Sequence, residues 1–284
     1  MKRKVDLVVI SDVHLGTYGC QSKEIYSYLK SIKPDTLVLN GDIIDMWQFS
    51  KRYWPKSHMK VVKQLFQLAS KGTLIYYITG NHDEMLRKFN GLELGNIKIV
   101  NKLEWNCNGK TALFFHGDIF DVSIQNSKWL AKIGAMSYDS LILVNTAINY
   151  LSRKLGKGKV SLSRKIKTSV KGAVKFISNF EQTAIEMARQ QGYDYVICGH
   201  IHQPTDKTID FKNGSSIRYL NSGDWVEHCT ALEYHDDKWK LHKHDLNNNN
   251  LVNAIESELL DDSMSLVDMN QKQLYQYILQ EFLK

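Results

Sequence analysis

Proline is scarce, with three in 284 residues, and long hydrophobic runs are missing altogether. The apolar stretches are about six to eight residues, strand-length and far short of the roughly 20 that a bilayer requires. Cysteine is limited to Cys20, Cys107, Cys198 and Cys229, none in a C-x-x-C pair. That spacing excludes a zinc site built on thiolates and predicts reduced, mostly buried thiols, as suits the cytosol. The start, Met1-Lys2-Arg3-Lys4, is basic, but Asp6 interrupts the apolar stretch behind it and no small-residue cleavage site follows. A secretory signal is therefore not expected, and the predicted location is cytoplasmic. Acidic residues are almost absent from one segment. Between Lys128 and Lys175 eleven lysines and arginines face Asp139 alone, although the whole chain carries only +7. A basic surplus so concentrated points to an anionic partner: a phosphate, a nucleic acid or an anionic lipid.

What is present is otherwise ordinary. Hydrophobic content of 43% and charged content of 24% describe a soluble globular chain, and its length suits one large domain with insertions. The first half alternates strand and helix patterns. Leu7–Ile10, Thr36–Leu39 and Leu74–Thr79 read as buried strands, with helices over Gln21–Ile32 and His58–Ser70 between them. Such βαβ units imply parallel strands joined by right-handed crossovers. Ile97–Val100 and Thr111–Phe115 are further strands, with Asn108-Gly109 between them as a hairpin turn. From Asp121 to about Gly192 the pattern becomes helical, broken at Gly156-Lys157-Gly158. Strand patterns then return at Tyr195–Cys198, Ser216–Leu220, Thr230–Tyr234 and Lys238–His242, with Asp236-Asp237 as a turn. The predicted organisation is a body over residues 1–246 that includes a helical insertion over 121–192. A polar linker and an amphipathic helical tail follow over 247–284, and packing of that tail on the body is the plainer expectation.

Five short segments carry the chemistry: Asp12-Val13-His14, Gly41-Asp42, Gly80-Asn81-His82-Asp83, His116-Gly117-Asp118 and Gly199-His200-Ile201-His202. Each follows an apolar, strand-like run. Residues i and i+2 of a strand point the same way, so Asp12 with His14, and His200 with His202, can each reach one ion. The adjoining glycines permit tight turns and close backbone approach. Singly, Asp12 also reads as an N-cap or turn residue, and His116 as a hydrogen-bonded, half-buried histidine. Together, Asp12, His14, Asp42, Asn81, His116, His200 and His202 supply the mixture of oxygen and imidazole nitrogen that two divalent cations need.

In that order the segments form the signature of the calcineurin-like metallophosphoesterases, which this chain resembles over roughly residues 5 to 245. The resemblance implies an α/β fold, an αββα four-layer sandwich of two mixed β-sheets flanked by helices, with the insertion as a helical lid. It implies that Asp12, His14, Asp42 and His202 hold one ion and that Asp42, Asn81, His116 and His200 hold the other. Manganese is favoured, with iron and zinc as alternatives. Such an ion pair lowers the pKa of a shared water toward neutrality and supplies the hydroxide that attacks phosphorus. His82 is the expected proton donor to the leaving oxygen. Asp83 is expected to orient His82, or to cap a helix over Glu84–Phe89.

The helical insertion between His116 and His200 resembles that of the UDP-2,3-diacylglucosamine hydrolases of lipid A synthesis. Those enzymes release UMP and a 2,3-diacylglucosamine 1-phosphate, lipid X. By that likeness Arg164, Lys165 and Lys167 would bind the diphosphate, and Trp129, Met136 and Leu141 either line an acyl pocket or pack helix on helix. One residue departs from the pattern. In that family an arginine follows the metal-binding asparagine, whereas this chain has His82, as in the wider superfamily. A phosphodiesterase or pyrophosphatase of another nucleotide or lipid is therefore the second reading. An anionic membrane surface is a candidate peripheral partner. Nucleic acid is disfavoured, because the basic segment is rich in apolar residues and has no recognised nucleic-acid motif. The sequence carries no signal for oligomeric state.

Overall fold

The structure, a computed structural model, describes residues 2–49, 53–120 and 163–245. The residues of the predicted insertion from 121 to 162, and the predicted tail, lie outside the described residues. The chain divides into two compact units, with the divisions after Gly117 and after Met187.

The first unit holds two mixed sheets. Strands β1 (Arg3–Ile10), β2 (Ile32–Asn40), β3 (Leu74–Ile78), β4 (Glu93–Leu94), β5 (Ile97–Val100), β11 (Thr230–His235) and β12 (Lys238–Lys243) form a seven-stranded sheet in the order β12-β11-β1-β2-β3-β5-β4. Strands β6 (Leu103–Cys107), β7 (Lys110–Phe114), β8 (Tyr195–Cys198), β9 (Thr205–Asp210) and β10 (Ser216–Asn221) form a five-stranded sheet in the order β6-β7-β8-β10-β9. Pairing is parallel from β1 through β2 and β3 to β5, and again from β7 through β8 to β10. The edges are antiparallel: β12 on β11, β4 on β5, β6 on β7 and β9 on β10. Helices flank the sheets, among them α1 (Ser22–Ser31), the short α2 (Met46–Phe49) and α3 (Lys56–Ser70). Helix α4 (Ser163–Gln191) falls mostly in the second unit. This is the expected mixed α/β architecture of two mixed sheets.

The central strands are apolar on both faces because both faces are covered. Leu7 and Val9 join Val38, Ile78, Phe114, Ile197 and Leu220 in one buried cluster, which contains residues of both sheets. Val8, Ile10, Leu37 and Leu39 point the other way, into a cluster with Ile25 and Leu29 of α1 and Met59, Val61 and Leu68 of α3. The two-residue alternation of the strands therefore assigns each side chain to one of two cores.

Two sequence expectations need correction. Asn108 and Gly109 do form a hairpin turn, with φ of 50° and 83°. The strand on its other side, however, is β6 and not Ile97–Val100, which runs parallel beside β3 in the larger sheet. β6 escaped notice because polar residues alternate through Leu103-Glu104-Trp105-Asn106-Cys107. β9 was also missed. Its sequence, Thr-Asp-Lys-Thr-Ile-Asp, is almost wholly polar, as befits an edge strand open to solvent on one side.

The cluster shared by both sheets should dominate stability. Phe114 is fully buried there, so Phe114→Ala should lower the free energy of unfolding by about 3–5 kcal/mol. Leu94→Ala, at an exposed edge position, should change it by less than about 0.5 kcal/mol. Urea denaturation of both variants measures the difference.

Candidate metal centre

The parallel strands end on one side of the sheets, and their loops carry the predicted ligands. Asp12 follows β1, Asp42 follows β2, Asn81 follows β3, His116 follows β7, and His200 and His202 follow β8. This is where open α/β sheets place their ligands. Five of these residues adopt left-handed backbone conformations: Asp12, His14, Asp42, His200 and His202, with φ of 52°, 52°, 54°, 68° and 53°. The spacing of two is thus not a continued strand, as the sequence suggested. The chain turns sharply at each ligand instead. Such conformations cost about 1–3 kcal/mol each for non-glycine residues, and here the loops are tied together to hold them. Asp12 N–H donates to the Gly41 carbonyl at 3.1 Å, and Val13 and His14 N–H donate to the Asp42 carbonyl at 3.0 Å. Trp225 N–H donates to the Asp12 carbonyl at 3.0 Å, and Gly199 N–H donates to that of His116 at 3.0 Å.

The predicted ligand side chains converge in two groups, Asp12 with His14 and His202, and Asp42 with His116 and His200, and His14 also belongs to a third group with Asp45 and His82. Within each group the ligand atoms lie within 4.8 Å of one another. His202 Nε2 is 3.3 Å from Asp12 Oδ1 and 3.4 Å from His14 Nε2. His116 Nε2 is 3.2 Å from Asp42 Oδ2. On its far side His116 Nδ1 lies 2.9 Å from the Asn40 carbonyl. A carbonyl only accepts, so Nδ1 carries the proton and Nε2 is the nitrogen turned toward the cluster.

Electrostatics and polar satisfaction both fit divalent ions. Asp12 and Asp42 are buried, which works against their charge. The imidazoles more than offset that cost: His202 and then His116 hold Asp12 down at about 2, and His116 and His14 hold Asp42 well below the usual carboxylate range. Burial likewise opposes a charge on His202, but Asp12 and Asp224 push its pKa up to about 9. Asp12 Oδ1 and Asn81 Oδ1 are buried and accept no hydrogen bond from any described residue. Buried oxygens with lone pairs left over are what a cation would satisfy.

The neighbouring glycines are sterically required. A Cβ on Gly80 would collide with Asp42 Oδ1 and with the Asp42 backbone nitrogen, and a Cβ on Gly199 would sit 2.7 Å from Asp12 Oδ2.

His82 lies beside this cluster, but Asp83 does not orient it. The Asp83 carboxylate accepts from Gly80 N–H at 2.6 Å, Ile43 N–H at 3.0 Å and the Tyr77 hydroxyl at 2.6 Å. It pins the β2 and β3 loops together, and it makes no side-chain cap on the 3-10 turn Glu84–Phe89. The partner of His82 is Asp45, whose Oδ2 is 2.9 Å from His82 Nδ1 and 3.5 Å from His14 Nδ1. Sequence reading passed over Asp45. The one signal was a carboxylate three residues after Asp42, at the end of the apolar pair Ile43-Ile44. Asp224 belongs to the loop Asn221-Ser222-Gly223-Asp224-Trp225, which in sequence resembles a strand-end loop of the UDP-2,3-diacylglucosamine hydrolases with a supporting role. It is buried, with Oδ2 3.9 Å from His202 Nδ1, a contact that the sequence did not specify. Arg164, Lys165 and Lys167 fall on the backbone of α4, and their side chains lie outside the described residues, as do Trp129, Met136 and Leu141.

Comparison with known proteins agrees with this geometry. A family model described as calcineurin-like phosphoesterase matches residues 5–204, and the chain belongs to that family of metal-dependent hydrolases. It is 24% identical over 242 residues to the UDP-2,3-diacylglucosamine hydrolase of Aliivibrio fischeri, covering 84% of this chain and 98% of that one. It is 25% identical over 261 residues to the enzyme of the same name from Aeromonas salmonicida, covering 88% and 98%. Among solved structures, an archaeal phosphodiesterase aligns over 84% of this chain and 98% of its own, at 12% identity and a TM-score of 0.39.

Two outcomes follow from the site's geometry. Gly80→Ala should fold yet lose most of its bound metal, read by elemental analysis after dialysis. Metal uptake should also depend on pH with a definite sign. His202 is protonated below about 9, and a cation must displace that proton. Affinity should therefore rise about tenfold per pH unit from neutrality toward 9 and then level. Calorimetric titrations in buffers of different ionisation enthalpy should show about one proton released per chain at pH 7.

Proposed function

We propose that this phosphoesterase cleaves the pyrophosphate bond of UDP-2,3-diacylglucosamine, releasing UMP and 2,3-diacylglucosamine 1-phosphate. The chemistry rests on one observation: groups of acid and imidazole side chains, two of them made wholly of predicted ligands, meet at the carboxyl ends of parallel strands. The substrate rests on the hydrolases of that name, which align with more than four-fifths of the chain. Asp12, His14, Asp42 and His202 would hold one divalent ion, and Asp42, Asn81, His116 and His200 the other. Their mixture of oxygen and imidazole nitrogen suits manganese or iron, with zinc a further candidate, and manganese is the ion we favour. Two such ions supply Lewis acidity toward phosphoryl oxygens and an activated water.

The chain's own residues provide the rest. Burial opposes a charge on His82, but Asp45 and Asp42 outweigh it and hold its pKa above the ordinary 6.5. The shift favours the protonated imidazole, the form that can donate to the leaving phosphate oxygen. Asp45 fixes the imidazole by its Nδ1, and the Trp47 ring, with its centroid 4.3 Å away, packs against it. Arg164, Lys165 and Lys167 would meet the diphosphate. No helix among the described residues is long and apolar enough to cross a membrane. A cytoplasmic enzyme that meets its lipid substrate at an anionic bilayer surface is consistent with the basic segment.

His82 itself favours a second reading. The family resemblance implies an arginine at this position, so another nucleotide pyrophosphate or phosphodiester is the alternative substrate. A hydrolysis assay with manganese separates the two, comparing UDP-2,3-diacylglucosamine with UDP-sugars, cyclic nucleotides and bis-p-nitrophenyl phosphate. Preference for the lipid nucleotide supports the first reading. Turnover of the others alone supports the second, and no turnover of any substrate sinks both.

His82→Ala should lower kcat by about 10²–10⁴-fold with metal content unchanged. The active form of His82 is protonated, so the wild-type rate should fall on the alkaline side of a pKa above 6.5. That limb should vanish in the variant, as a pH–rate profile would show.

A further inference from the structure

We propose that Asp224 is the positioning residue for the ligand His202. The loop after β10, Asn221-Ser222-Gly223-Asp224-Trp225, is fastened to the loops of the metal centre. Asn221 Nδ2 donates to the Gly199 carbonyl at 2.8 Å, Ser222 Oγ and Ser11 Oγ share a hydrogen bond of 2.7 Å, and Trp225 N–H donates to the Asp12 carbonyl at 3.0 Å. Asp224 is wholly buried at the end of this loop, and its two oxygens have separate tasks. Oδ1 accepts from the backbone N–H groups of Val226 at 2.8 Å, Glu227, and His228 at 3.2 Å, and so shapes its own turn. Oδ2 lies 2.6 Å from His228 Nδ1 and 3.9 Å from His202 Nδ1.

His202 is therefore set between two carboxylates. Nε2 faces Asp12 and His14, while Nδ1 faces Asp224. A ring shift of about 1 Å brings Nδ1 to hydrogen-bond length of Asp224. A carboxylate behind one ring nitrogen fixes the tautomer and aims the other nitrogen at the metal. His116 has the same design with the Asn40 carbonyl as its backstop. His228, through its bond to Oδ2, holds the Asp224 carboxylate in place. The inference rests on the dinuclear reading above and adds to it a determinant of one ion's affinity.

Asp224→Asn separates the two tasks. The amide oxygen can keep the three backbone bonds, while the amide nitrogen cannot accept from His202. With manganese alone as the probe, the wild-type chain should bind two ions. In Asp224→Asn one of them should weaken by about 10–100-fold, with the other kept within about twofold. Cobalt(II) titration should show an altered visible spectrum for the weakened equivalent alone. Thr230→Val is the control, because it removes the Thr230 hydroxyl bond to the Ser222 carbonyl in the same loop without touching Oδ2. Equal weakening in Thr230→Val would make loop distortion the cause and overturn the proposal. Unchanged binding in Asp224→Asn, with two ions in the wild type, would overturn it alone. Failure of the wild type to bind two ions would overturn the dinuclear reading as well. A measurement on the wild type needs no variant: 15N histidine spectra of the zinc-loaded chain should show His202 protonated on Nδ1. The opposite tautomer would end the proposal.

Discussion

Two negative charges buried side by side at strand ends set the terms for everything around them. Asp12 and Asp42 are almost wholly removed from water, at a cost of several kcal/mol for each charge taken out of solvent. Their partners are assembled from remote parts of the chain. His200 N–H donates to Asp12 Oδ2 at 3.1 Å and His82 N–H to Asp42 Oδ1 at 2.8 Å. The other oxygen of each acid faces an imidazole. Without a cation, protonated His202 balances Asp12. Once the imidazoles are deprotonated they offer nitrogen lone pairs beside those of the carboxylates, and a divalent cation is the species that satisfies both, which makes the arrangement a candidate metal centre.

Holding those groups in register requires a rigid frame and tolerance of strain. The frame is the pair of sheets, whose central strands are packed on both faces. The strain is the left-handed backbone at Asp12, His14, Asp42, His200 and His202. Asparagine, aspartate and histidine enter this region more readily than branched or bulky residues, so the ligand types the metals require are also types the turns accept. Gly80 and Gly199 let neighbouring backbone approach the two acids where any Cβ would intrude. The cost is carried by loop-to-loop hydrogen bonds and by the buried core beneath, at the part of the fold where shape matters most for chemistry.

Much of this was legible in the sequence, but partly for a different reason. The apolar runs of β1, β2, β3 and β8 announced themselves, because strands covered on both sides are nearly all apolar. The polar segments behind those runs announced the candidate ligands. The spacing of Asp12 with His14, and of His200 with His202, looked like strand alternation but is realised through left-handed turns that no residue pattern specified. Asp45 stayed hidden, and Asp224 was legible only as part of a supporting loop, because their specific contacts exist only after folding. Asp45 meets His82 across 37 positions of chain, and Asp224 meets His202 across 22. β6 and β9 stayed hidden because sheet edges use polar side chains that loops also use.

Five buried acids, Asp12, Asp42, Asp45, Asp83 and Asp224, surround one centre, and what their lone pairs face divides the labour among them. Asp83 is saturated by two backbone N–H groups and a phenol. Burial and the charge of Asp42 raise its pKa above the usual carboxylate value, and with its oxygens already accepting three hydrogen bonds it has no vacancy for a cation. It is a clasp between loops. Asp45 and Asp224 each turn Oδ2 toward histidine Nδ1 atoms, which makes them supports for rings. Asp12 and Asp42 alone have an oxygen aimed at an imidazole Nε2, the atom a ligating histidine presents to a metal. Adjacency in sequence does not predict this division. Asp83 is next to His82 and does not serve it, whereas Asp45 does. Orientation of the lone pairs, fixed by backbone N–H groups at strand ends, separates the carboxylates that could hold a metal from those that only hold the site together.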